Sequence, residues 1–80
     1  MARSMMLQFD DAPLAQAVEQ VNRHGEPDVR LGDPGLAGLR VTGAFRTGDT
    51  AGFAQSIANA FDLELESGSD ALWLRRRSTN

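Results

Sequence analysis

Val21-Asn22-Arg23-His24, followed by Leu31-Gly32-Asp33-Pro34-Gly35-Leu36-Ala37-Gly38-Leu39-Arg40-Val41-Thr42-Gly43-Ala44-Phe45-Arg46-Thr47-Gly48-Asp49, is the stretch on which the fold of this 80-residue chain turns. It joins the end of an amphipathic helix to a turn, an alternating strand and the start of a second helix. Residues 39–46 give the clearest strand. Leu39, Val41 and Phe45 share one face and Arg40, Thr42 and Arg46 the other, because successive side chains of a strand point to opposite sides. The first face is core; the second is wet or bound to something. Gly43 falls on the core side, where the missing side chain admits a neighbouring helix or a bulge. The glycine-rich run before the strand has no Lys and no helix directly after it, so it reads as a turn rather than a phosphate loop.

Upstream of this stretch, Leu7 and Phe9 alternate with Gln8 as a short half-buried strand does, and Asp10-Asp11 ends the pattern. Asp11 is the expected N-cap of a first helix, with Pro13 in its first turn and Leu14, Ala17, Val18 and Val21 on one face. His24 suits the negative end of the helix dipole, and Gly25 is expected to stop the helix in the left-handed conformation. Residues 28–31 give a second strand. Downstream, Asp49 or Thr50 caps a second helix whose buried face is expected to carry Phe53, Ile57, Ala60 and Phe61. Leu63 and Leu65 then alternate with Glu64 and Glu66, Ser67-Gly68-Ser69-Asp70 forms a hairpin loop, and Leu72 and Leu74 alternate with Trp73 and Arg75.

The two helices superpose at a constant offset: Leu14 on Phe53, Ala15 on Ala54, Gln16 on Gln55, Val18 on Ile57 and Val21 on Ala60. Each follows a strand carrying Phe, at Phe9 and Phe45, and each precedes another strand. This internal repeat predicts an α+β fold of two βαβ-like units whose helices are sandwiched between small β-sheets around one core. The expected domain covers residues 7–75, with tails at 1–6 and 76–80.

Composition narrows the function. A chain of this size makes one small domain. No apolar run approaches the roughly 20 residues of a membrane helix, and no signal peptide is visible at the start, so the chain is expected to be soluble without inserting into a membrane. Cysteine is absent, which excludes disulfides and thiolate chemistry within these residues. The formal net charge of −3 argues against nucleic acid as a partner. His24, the single histidine, lacks triad or zinc partners and reads as a helix-terminal residue. Asp10 and Asp11 read as capping residues rather than an acid and base pair, and Ser56 as a small packing residue. No catalytic residue, cofactor or metal ligand is assigned, and the chain is expected not to be an enzyme. The candidate partner-binding residues are Arg40, Thr42 and Arg46 on the outward face of the middle strand, and Leu72, Trp73, Leu74 and Arg75 in the terminal hairpin. Trp73, on the face opposite Leu72 and Leu74, is either covered by a strand or domain or exposed as an aromatic of the type that anchors interfaces.

The order of these motifs resembles the C-terminal periplasmic domain of FecR-type transmembrane sigma-factor regulators. Phe9, Asp11, Pro13-Leu14 and Asn22-Arg23-His24 match the family's first strand, turn and helix; Asp33-Pro34, Leu39-Arg40-Val41-Thr42-Gly43, Phe45-Arg46 and Asp49 match its turn, central strand and second helix cap. The similarity spans nearly the whole chain. It extends to the short N-terminal (STN) domain of secretins and TonB-dependent receptors, which implies the same fold of two βαβ-like units. Ala60-Phe61-Asp62-Leu63 stands where the receptor branch carries a Gly-Thr-Gly-Leu-like motif, which favours the regulator branch. The resemblance implies a periplasmic domain of an inner-membrane anti-sigma regulator. Such a domain binds the N-terminal signalling domain of a TonB-dependent siderophore receptor in cell-surface signalling for iron uptake. It implies no cofactor. The alternative is the STN domain of a secretin or of the receptor itself, acting in assembly or signalling.

Overall fold

In the computed structural model, which describes residues 6–77, the alternating stretch forms strand β3 (Arg40–Arg46). Val41 is buried and Arg40, Thr42 and Arg46 are exposed, as the alternation requires. The preceding elements are β1 (Met6–Pro13), α1 (Leu14–His24) and β2 (Asp28–Leu31), with a 3-10 turn at Pro34–Leu36. After β3 come α2 (Thr50–Phe61), β4 (Leu63–Ser67) and β5 (Ala71–Arg76). The expected tails lie outside the described residues except at Met6, Arg76 and Arg77, and of these Met6 and Arg76 belong to strands.

The two units exchange strands. β1 pairs antiparallel with β3 in one sheet, while β2, β5 and β4 form the other, in that order. β2 runs parallel to β5, with Val29 beside Leu72 and Leu31 beside Leu74, and β4 runs antiparallel to β5, with Leu65 beside Leu74. Each helix touches strands of both sheets, so the helices form a middle layer. Leu14, Ala17, Val18 and Val21 of α1 meet Phe53, Ala54, Ile57 and Ala58 of α2, with Val29, Val41, Leu63, Leu72 and Leu74 closing the core from the sheets. Phe53 is the aromatic centre. Its ring lies 4.9 Å from that of Phe45 and 6.2 Å from that of Phe9, both edge-on, a favourable arrangement of ring quadrupoles.

Four local expectations are corrected. β1 does not stop at Asp10-Asp11 but continues to Pro13 through a register shift between Phe9 and Ala12. Asp11 therefore caps no helix; it sits in the bulge at φ 55. The N-cap of α1 is Pro13, with no side-chain cap, and the free N–H groups of Leu14 and Ala15 donate to the carbonyls of Leu39 (2.7 Å) and Ala37 (3.1 Å). Chain beyond the 3-10 turn thus supplies what a capping side chain supplies elsewhere.

Gly25 is extended, at φ −163, rather than left-handed. Its glycine is required by room, since a Cβ there would stand 2.6 Å from the Gly48 carbonyl oxygen. Ala60 is exposed, and Ala54 and Ala58 take its place in the core, so the helix repeat breaks at its last position. Leu36, read as part of a turn, is fully buried. Gly43 meets the expectation of an irregularity: it has φ 148 and lies opposite Phe9 beside the β1 bulge.

Candidate functional site

Arg40 and Thr42 stand on the exposed face of β3, but both are engaged within the domain. The Thr42 hydroxyl accepts the Asp11 N–H at 3.0 Å, and Arg40 Nη1 donates to the Asp11 carbonyl at 3.1 Å. Together they satisfy both backbone groups of the bulged residue, which the ladder leaves unpaired. Arg46 lies at the far end of the strand opposite Met6 and carries the exposed charge of that end.

The terminal hairpin divides differently from expectation. Leu72 and Leu74 point inward and are buried, Leu74 completely, so their side chains serve the core and cannot meet a partner. β5 is also the central strand of its sheet, with no free edge. Trp73 and Arg75 occupy the outer face. The Arg75 guanidinium lies 5.2 Å from the Trp73 ring centroid, and its Nε donates to Glu66 Oε1 at 2.9 Å. A cation over the indole face and a carboxylate beside it leave Trp73 half-buried under its own neighbours. The two groups of candidate residues thus lie on different sheets and form no single site.

The remaining polar groups explain how the sheet ends are held. Asn22, in the last turn of α1, accepts from the Val29 N–H at 2.8 Å and donates to the Val29 carbonyl at 3.0 Å. Its amide acts as a one-residue strand on the outer side of β2. Asp33 Oδ2 accepts the Arg76 N–H at 2.9 Å, tying the turn to the end of β5. His24 is exposed at the end of α1, beside an open polar hollow of about 900 Å³ lined by residues 22–28 and by Ser69 and Asp70. Among the described residues no three His, Asp or Glu side chains converge as a metal site would require.

The feature not recognised in the sequence is the edge of β4, which no other strand covers among the described residues. A groove of about 480 Å³ runs along it, between β4 and the Gln55, Ala58 and Asn59 positions of α2. Alternation marks Leu63 to Ser67 as a strand but does not say which strand of the hairpin is outermost. That is decided by the parallel pairing of β2 with β5.

No family model matches the chain, and no curated protein sequence does. The fold is shared with solved structures. Two crystal structures of a "putative anti-sigma factor" from Parabacteroides distasonis align with 94% of this chain. Their TM-scores are 0.75 and 0.72, at 14% and 15% sequence identity. The chain spans 35% of the length of each, so its fold corresponds to one part of those longer chains.

Proposed function

We propose that this chain is the periplasmic protein-interaction domain of a FecR-type anti-sigma regulator. In this reading it receives the N-terminal signalling domain of a TonB-dependent outer-membrane receptor and has no catalysis of its own. The supporting observation is the match of nearly the whole chain to one third of longer chains described as anti-sigma factors. It is joined by the motif order from Phe9 to Asp49 that resembles the FecR C-terminal domain. A module of this kind acts by presenting surface, and its short sheets supply both exposed faces and strand edges for that purpose. Iron-uptake signalling follows from the receptor class: occupancy of the receptor by a ferric siderophore is relayed through this domain, across the inner membrane, to a sigma factor.

The test is a titration of isotopically labelled domain with purified receptor signalling domains, followed by amide chemical shifts. Saturable shifts on a contiguous surface are expected with a signalling domain encoded beside the regulator. Absence of any shift across the receptor signalling domains of the same genome would overturn the assignment. The related reading, an STN domain of a secretin or receptor, is distinguished by the flanking gene sequence: an upstream membrane helix marks a regulator, a downstream barrel or secretin region the alternative.

A further inference from the structure

We infer that the outer edge of β4 is a strand-addition site that takes an extended segment of a partner protein, with basic residues alternating with small ones. Each sheet has two edges, and three of the four are blunted. Asn22 occupies both backbone groups of Val29 on β2. β1 carries the Asp11 bulge and ends in Pro13, and its partner β3 runs past that register shift with Gly43 at φ 148 opposite Phe9. Bulges, proline and side-chain cover are the devices by which sheets close their edges to other chains. Among the described residues β4 has none of them: all five of its residues pair with β5 in unbroken register.

The backbone direction along β4 follows from the hairpin. The Gly68 N–H donates to the Ala71 carbonyl at 2.8 Å. Hydrogen-bonded and non-bonded pairs alternate in an antiparallel ladder, so Glu66 opposite Trp73 and Glu64 opposite Arg75 bond inward to β5. Leu63, Leu65 and Ser67 therefore turn their N–H and C=O groups to the open side. Their side chains lie on the helix-facing side, so incoming residues placed opposite them enter the groove lined by Ala58, Leu63 and Leu65 and by the polar Gln55, Asn59 and Arg77, which has room for small side chains.

Charge selects the occupant. Incoming residues opposite Glu64 and Glu66 fall on the outer face beside two exposed carboxylates; among the described residues Glu66 is ion-paired, to Arg75, and Glu64, which stands across the ladder from Arg75, is not. Basic side chains complement that row. A second copy of this chain added through β4 would set glutamates against glutamates, and like charges directly across a ladder repel. The partner is therefore another protein. The proposed function identifies that partner as a receptor signalling domain, whereas the edge chemistry stands without that identification.

Two probes separate the readings: a receptor signalling domain, and a blocked peptide of alternating lysine and valine. With either, the amides of Leu63, Leu65 and Ser67 are expected to shift and to gain protection from solvent exchange. Ser67→Pro removes an outward N–H without removing a bond to β5, and Glu64→Gln removes one charge without setting a second cation opposite Arg75. Each is expected to weaken binding by about tenfold or more while far-UV circular dichroism and the unfolding midpoint are preserved. An acidic peptide of the same pattern is expected not to bind.

Peptide binding at β4 with no binding of any receptor domain overturns the proposed function and leaves the edge site standing. Receptor binding that maps elsewhere and ignores Ser67→Pro overturns the edge site and leaves the function standing. Dimerisation of the free domain through β4 overturns the heterologous occupant.

Discussion

Asn22 illustrates how much a single side chain can do when it meets backbone rather than another side chain. Its carboxamide has one acceptor and a donor pair, the complement of an exposed strand residue, and it meets both groups of Val29 at 2.8 and 3.0 Å. The same two bonds join α1 to β2 and close that edge. Asn22→Leu keeps the volume and removes both bonds. It is expected to lower stability by about 1–3 kcal/mol in urea unfolding, because partly buried backbone groups lose their partners. A loss below about 0.5 kcal/mol would mean that water replaces the amide without cost and that the edge is not sealed by it.

The two helices are started by different means, and the difference sets the limit of what local pattern reveals. α2 begins in the way its sequence announces: Asp49 Oδ1 accepts the Gly52 N–H at 3.0 Å. Asp49→Ala is expected to cost about 1 kcal/mol. Asp11→Gly, the corresponding change at the other candidate cap, is expected to cost nothing or to stabilise, since Asp11 caps no helix and glycine relieves its positive φ. Equal losses in thermal unfolding of the two variants would restore Asp11 as a cap. Periodicity located both helices and all five strands because it is a local signal, readable within a few residues. The bulge in β1 and the capping of α1 were not readable. They depend on Thr42, Arg40, Ala37 and Leu39, which reach β1 and α1 only after the chain has folded back. The candidate surface divides in the same way. Alternation identified Arg40, Thr42 and Arg46 as outward-facing, but the burial of Leu72 and Leu74 under their sheet and the free edge on β4 follow from which strands become neighbours.

Across the whole molecule, strand exchange makes the two βαβ-like units inseparable. A two-stranded sheet is marginal by itself, so β1 and β3 depend on what packs beneath them, which is Phe53 of α2 between Phe9 and Phe45. A domain of this length has a total stability of roughly 4–12 kcal/mol. Truncation of a buried phenylalanine costs about 3–5 kcal/mol, so Phe53→Ala removes a large share of it. Trp73 is the sole tryptophan and lies on the outer face of the other sheet, so its fluorescence reports β2-β5-β4 independently of the aromatic cluster. If one core unites both sheets, Phe53→Ala shifts the Trp73 transition and the far-UV transition together, to a common lower midpoint. If the Trp73 transition keeps its original midpoint while part of the far-UV signal is lost, the sheets unfold separately. The middle layer of helices would then be two half-cores in contact rather than one.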